Sequence, residues 1–253
     1  MTAHDLVLRP LRGVPRIAAG DDPASIALAA LEATNESLRD GDVLVFAQKI
    51  ISKAEGRSIA LSAVTPSPPA LRLAEATKKD ARLVELILHE SSAVLRHRPG
   101  LLIVGHRLGL VLANAGIDHS NVDGDGRVLL LPVDPDASAK RIRAEVKRKA
   151  GVDIGVLIID SIGRAWRMGT IGTAIGIGGL PGLIDLRGHP DLNGRPLETT
   201  EVGFADELAA AASLMMGQAD EATPIVLARG VPYARRDGAA SELVRPKERD
   251  LFR

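Results

Sequence analysis

Short unbroken apolar runs alternate along this chain with stretches whose apolar residues recur every three or four positions. Residues 43–47, 101–104, 108–112, 128–133, 154–159 and 224–228 are such runs and predict strands, those at 43–47 and 154–159 being buried ones. Asp22 is placed to cap a helix over 23–38, with Pro23 at its first position. Asp80 caps a second helix from Ala81 to about Arg96, whose Leu83, Leu86, Ile87 and Val94 share one face. Asp134-Pro135-Asp136 opens a third helix through Lys149, stopped by Gly151. An alanine-rich helix starts at Glu201 or Gly203 and ends at Met216. The proline-rich residues 65–69 read as a loop. Helices and strands alternate only loosely, so the pattern predicts an α+β fold on a mixed sheet rather than a regular doubly wound one.

Composition narrows the picture. Hydrophobic residues fill 45% of the 253 positions but aromatics only 2%, so Leu, Ile, Val and Ala must build the core. Lys and Arg number 32 and Asp and Glu 32; a neutral chain with few stacking rings is not expected to partner nucleic acid. The absence of cysteine excludes disulfides, thiolate zinc sites and a cysteine nucleophile. No apolar run approaches the roughly 18 residues of a membrane span, and the N-terminus lacks a basic segment followed by an apolar one. A cytoplasmic protein with no membrane partner is expected.

Candidate chemistry gathers at 160–167. Asp160-Ser161-Ile162-Gly163-Arg164-Ala165-Trp166-Arg167 follows the 154–159 run, which puts a carboxylate at a predicted strand end, where clefts open. An unpaired carboxylate is costly there. Arg164 or Arg167 either neutralises it structurally or joins it in handling a phosphate. Asp118 is a second acidic position, in Ala113-Asn114-Ala115-Gly116-Ile117-Asp118-His119-Ser120-Asn121. Its short polar neighbours make either a turn or, together with Asp160, a site for a hard divalent cation.

Other motifs keep two readings. Lys49 and Lys53, four apart behind the 43–47 strand, are either ordinary surface lysines or point charges for phosphate. Gln218, at the end of the alanine-rich helix, has a solvated reading. Lys140, Arg141, Arg143, Lys147, Arg148 and Lys149 read as a solvated helix face. The glycine-rich stretch 169–179 is either a ligand loop or a segment packed closely on another backbone. It lacks the strand–turn–helix context of a dinucleotide fingerprint, and no Walker motif or zinc-type histidine spacing is present. Among the histidines only His119, beside Asp118, stands near the candidate chemistry.

Taken in order, these segments resemble the coenzyme F420-0:L-glutamate ligase family. The resemblance is carried by Gly41-Asp42-Val43-Leu44-Val45, Ile51-Ser52-Lys53-Ala54-Glu55-Gly56-Arg57, the 113–121 segment, and Leu131-Pro132 with Asp134-Pro135-Asp136-Ala137-Ser138. It continues through 160–167, Ala205-Asp206-Glu207, Met216-Gly217 and the tail Glu242-Leu243-Val244-Arg245-Pro246-Lys247-Glu248. It implies a two-domain α+β fold with intertwined subdomains, no P-loop or Rossmann motif, and a homodimer. It also implies GTP as co-substrate and two divalent cations, Mg²⁺ or Mn²⁺, per active site. By matching positions, Asp118 and Asp160 would hold the first metal and Ser161 and Gln218 the second, Ser161 standing where the family often has Thr. Val14, Pro15, Arg16, Ile17, Gln48, Lys49, Lys53, Asn121, Met216 and Gly217 would line the GTP site. Arg164 and Arg167 would meet phosphate or substrate.

The implied reaction phosphorylates a carboxylate of coenzyme F420-0 with GTP. The amine of L-glutamate then attacks the acyl phosphate, giving an amide, GDP and phosphate. One segment departs from the family: after Trp166-Arg167 many relatives read Gly-Gln-Thr-Asp, and this chain has Gly169-Thr170-Ile171-Gly172.

Overall fold

The computed structural model describes residues 5–119 and 124–251. The first half runs β1 (Val7–Pro10), α1 (Pro23–Ala33), β2 (Val43–Ala47), α2 (Gln48–Ala54), β3 (Ser58–Ala60), α3 (Pro68–Thr77), α4 (Ala81–His89), β4 (Ser91–Arg98), β5 (Leu101–His106) and β6 (Val111–Ala113). The second half runs β7 (Arg127–Leu129), α5 (Pro135–Ala150), β8 (Gly155–Arg164), β9 (Arg167–Gly178), β10 (Ile184–Asp185), β11 (Glu201–Val202), α6 (Phe204–Met216) and β12 (Ile225–Arg229).

The central sheet has the order β1-β12-β2-β8-β9, antiparallel except for the parallel pair β2 and β8. Both its faces are covered, which explains why its strands read as unbroken apolar runs instead of alternating ones. Leu44, Phe46, Val156, Ile158, Ile225 and Leu227 pack toward α1 and α5. Val43, Val45, Leu157, Ile159, Val226 and Ala228 pack toward α6. A separate apolar cluster lies under α3 and α4, against the antiparallel sheet β4-β5-β6 and the β3–β7 pair.

The locally signalled caps form as expected. The side chains of Asp22, Asp80 and Asp134 accept from the first-turn amides of α1, α4 and α5, and Gly151 ends α5 in the left-handed region. Several boundaries differ. The first helix ends at Ala33 rather than near residue 38, because the Thr34 hydroxyl turns back to the Ala30 carbonyl and Asn35 takes a φ of 56°. The proline-rich loop is the start of α3: Ser67 caps it, and Pro68 and Pro69 fill a first turn that needs no N–H donors. The helix expected over 81–96 stops at His89, and the chain enters β4, whose pairing with β5 overrides local preference. The strand expected over 128–133 is paired only over 127–129, and that over 108–112 only over 111–113.

The largest correction concerns β8. It does not end at Asp160 but continues to Arg164 and returns as β9 through a two-residue turn at Ala165-Trp166, with Trp166 at a φ of 58°. The glycine-rich stretch is therefore mostly strand, and its glycines from Gly172 onward serve close packing. A Cβ on Gly172 would sit 2.4 Å from the Ala209 carbonyl of α6, and one on Gly176 2.4 Å from the Pro135 carbonyl of α5. The basic face of α5 is only partly solvated. Arg141 pairs with Glu55 at 2.7 Å, Arg143 with Asp153 at 2.7 Å, and Lys149 with Asp22.

Candidate functional site

The sheet order brings four distant segments to one edge. β2 and β8 run in parallel with Ala47 opposite Ile159, so Gln48-Lys49 and Asp160-Ser161 emerge side by side. β12 runs antiparallel to β2, so the segment before it arrives at the same edge; the Ala47 amide donates to the Pro224 carbonyl at 2.8 Å. β1 ends opposite Val226, which brings in the segment holding Val14 to Ile17. Together they enclose a cleft of about 470 Å³. Ligand clefts form at such ends of adjacent parallel strands, where two successive connections diverge.

Most of the expected site residues meet here. Val14, Pro15, Arg16, Ile17, Gln48, Lys49, Lys53, Asp160, Ser161, Met216, Gly217 and Gln218 all line the cleft. Asp118 stands at its side, tied to it through Gln48 and Lys49. Asn121 lies outside the described residues. Arg164 and Arg167 pair with each other across the β8–β9 turn, beyond the residues that line the cleft, and no ion pair joins either to Asp160 among the described residues. The structural ion pair considered for Asp160 is thus not what forms.

Strand alternation distributes the chemistry of β8. Successive side chains point to opposite faces. Ser161 faces α6, where its hydroxyl donates to the Gln218 amide oxygen at 2.7 Å, while the Gln218 amide nitrogen donates to Ser213 at 3.1 Å. Gln218 is thereby held in place rather than merely solvated. Asp160 lies toward Asp118 and Lys49 on the other side. The turn reading of the Asp118 segment is realised: Asn114, Ala115 and Gly116 all take positive φ. That turn delivers Asp118 to a backbone pair with Leu129, bonded in both directions at 2.9 Å.

The two carboxylates are unequal. Asp118 accepts from the Gln48 amide nitrogen at 2.8 Å and pairs with the Lys49 ammonium at 3.3 Å. Burial still raises its pKa against those partners. Asp160 keeps some solvent contact at the cleft wall, but protein surrounds its carboxylate on most sides, and it accepts a hydrogen bond from the Ser161 amide at 2.8 Å. Burial, and then the charge of Asp118, push it up to about 7.

This arrangement fits a hard divalent cation. Two carboxylates that repel one another, flanked by the Ser161 hydroxyl and the Gln218 amide oxygen, make an all-oxygen donor set with a charge deficit that a cation would cancel. Among the described residues no group of three or more His, Cys, Asp or Glu offers an alternative. Asp118 and Asp160 would hold one ion, and Ser161 and Gln218 would contribute to a second.

Sequence reasoning missed several residues of the cleft. Ser213, on α6, bonds Gln218, and residues 219–224 form a wall. Ser52, fully buried, donates to the Gln48 amide oxygen at 2.8 Å. The four-residue spacing of Gln48 and Ser52 was the available signal, since such pairs meet on a helix.

The fold and cleft define an α+β class whose acidic pair, Asp160 just past the parallel β2–β8 pairing and Asp118 on the turn after β6, flanks one cleft, without a P-loop or dinucleotide loop. Comparison with known proteins identifies the lineage. The profile of the F420-0:Gamma-glutamyl ligase family matches residues 13–230. The coenzyme F420:L-glutamate ligase of Methanothermobacter thermautotrophicus is 49% identical over 245 residues, 96% of this chain and 97% of that protein. Its namesakes from Methanopyrus kandleri and Archaeoglobus fulgidus are 45% and 42% identical, over 98% and 96% of this chain and 98% and 95% of their own lengths. This chain belongs to the F420-0:Gamma-glutamyl ligase family and is a ligase enzyme. No helix among the described residues is long and apolar enough to cross a membrane.

Proposed function

We propose that this chain joins L-glutamate to coenzyme F420-0 in a GTP-dependent reaction through an acyl phosphate. The substrates follow the names of the relatives. The observation that carries the nucleotide chemistry is the convergence of Asp118, Asp160, Ser161 and Gln218 with Lys49 and Lys53 around one cleft.

A substrate carboxylate oxygen attacks the γ-phosphorus of GTP, and the bond to the β-phosphate oxygen breaks, releasing GDP. The neutral amine of L-glutamate then attacks the acyl carbon, forms the amide, and expels phosphate. Neither step needs a protein nucleophile; both need positioning and charge stabilisation. A divalent cation bound by Asp118 and Asp160 would neutralise charge that builds on the transferred group. Lys53 and Arg16 border the cleft as cationic partners for phosphate oxygens. The walls formed by Val14, Ile17 and Met216 supply an apolar surface for the base.

The direct test incubates the protein with the deazaflavin precursor, GTP, Mn²⁺ and L-glutamate and reads product mass. A product heavier by glutamyl units, absent without GTP, is expected. An unchanged mass with folded, metal-loaded protein would reject this acceptor or this nucleotide.

A second reading, an amide ligase for another acceptor or amino acid, draws on Gly172. It pairs with Ser161 across the β8–β9 ladder, so the segment that departs from the family borders the candidate site. A screen of acceptors and amino acids separates the two readings. The homodimer implied by the family resemblance is part of the proposal, and sedimentation equilibrium would test it.

A further inference from the structure

We propose that Ser52 and Gln48 form a relay that positions Asp118, with Ser52 locking the Gln48 amide so that its nitrogen faces the carboxylate. This assigns the Gln48 side chain a role toward Asp118 in addition to its place on the cleft wall. It rests on the reading of Asp118 as a cation ligand.

The argument begins with donors and acceptors. An ionised carboxylate only accepts, so the Gln48 group facing Asp118 must be the amide nitrogen. Its distance to Asp118 Oδ2 is 2.8 Å. The Gln48 amide oxygen then faces inward, into protein, and needs a donor there. Ser52 Oγ supplies it at 2.8 Å, one helical turn along α2. Gln48 is 1% exposed and Ser52 0%, so no bulk water can replace either contact. Turning the amide over would set its oxygen against the carboxylate.

Each oxygen of an ionised carboxylate has more than one lone pair, so Asp118 can meet a ligand while the relay holds it. Gln48 engages Oδ2 and Lys49 approaches Oδ1 at 3.3 Å, while the Asp118 backbone is clamped to Leu129 in both directions. Position along the chain is fixed by the clamp, and rotation of the carboxylate by the amide. Gln48 and Ser52 follow directly from β2, which is paired in register with β8, so the relay refers Asp118 to the same sheet that carries Asp160. Outer partners of this kind set the geometry of metal ligands, and their loss typically costs about 10- to 100-fold in metal affinity.

Manganese binding, read by the electron paramagnetic resonance signal of free Mn²⁺ with no other ligand present, tests the relay on the intact chain. Ser52→Ala should weaken Mn²⁺ binding by about tenfold, and Ser52→Thr, which restores the hydroxyl, should recover most of it. Gln48→Met, similar in length but without a donor, should weaken binding at least as much. Adding Ser52→Ala to Gln48→Met should then change nothing further, because the serine acts only through the amide. This non-additivity separates a relay from general loosening, which would accumulate. Equal Mn²⁺ affinity in Ser52→Ala and the unmodified protein would overturn the relay and leave the proposed function standing. Unchanged binding in Asp118→Asn would overturn both. If Ser52→Ala does not fold, Gln48→Met alone decides, and unaltered binding in it refutes the proposal.

Discussion

Glu90 and Asp160 are both carboxylates enclosed by protein, and the fold treats them in opposite ways. Glu90, at the end of α4, pairs with Arg57 at 2.9 Å and Arg107 at 3.0 Å, with the His106 ring 3.6 Å away. Burial alone would raise its pKa; those three partners outweigh burial and hold it down at about 2. Asp160 has a backbone amide and a like-charged neighbour, and is pushed up to about 7 by burial and Asp118. The Glu90 cluster is complete. Arg57 also donates to the Leu131 carbonyl and Arg107 to that of Val133, which ties the segment beyond β7 to α4 and the loop after β5. The Asp160 site is short of positive charge. The chain supplies Glu90 with its counter-ions, whereas Asp160 keeps a strongly raised pKa in a cleft, the character of groups that cluster at functional sites.

That contrast can be broken most severely at the site. Asp160→Asn should reduce ligase turnover by on the order of a hundred- to a thousandfold. Its thermal midpoint in chelator should hold or rise, since a repelling charge is gone. A lowered midpoint would show that Asp160 is structural after all.

Glu90→Ala should do the reverse in character. Leaving two guanidinium groups near a vacated, mostly buried position costs about 3–5 kcal/mol, measurable as a loss of unfolding free energy in urea. A change below about 1 kcal/mol, the scale of an exposed pair, would place Glu90 with surface salt bridges. Arg57→Lys is a milder version. It keeps the charge but loses the fork that reaches both Glu90 and Leu131, and about 1–2 kcal/mol should go with it.

Acid provides the gentlest probe. The folded-state pKa of Glu90, about 2, lies below its ordinary value of 4.5, so the folded chain releases this proton more readily than the unfolded one. Its contribution is therefore full above about pH 4.5 and fades as pH falls toward 2. The stability gap between the unmodified protein and Glu90→Gln, followed through urea midpoints, should narrow across that window. A constant gap would mean that charge is not what Glu90 contributes.

How much could be read in advance follows from how local each signal was. The caps at Asp22, Asp80 and Asp134 and the stop at Gly151 act within one helical turn, and all were legible. The boundary at Glu90 was not, because the residues after it become strand only through pairing with β5. The extension of β8 past Asp160 was hidden because Ser161, Ile162 and Gly163 become strand only through pairing with β9. At the site, residue types and order pointed to residues that the fold does bring to one cleft, whereas Arg164 and Arg167, grouped with them by nearness in sequence alone, lie beyond its lining. Ser52 was passed over, since a buried hydroxyl has no meaning until the amide it serves is in view.

The sequence by itself determined the three inner strands of the central sheet, the capped helices, the absence of thiol chemistry, and the family to which the chain belongs. Those properties lie in composition, in short-range patterning and in ordered motifs. Only the tertiary structure decided that Gln48 meets Asp118, that Ser161 meets Gln218, and that burial and Asp118 outweigh Lys49 at Asp160 while ion pairs outweigh burial at Glu90. These contacts span tens of residues and depend on the parallel register of β2 and β8. Long-range register sets both burial and which charges face one another, and those two quantities decide where a carboxylate holds its proton.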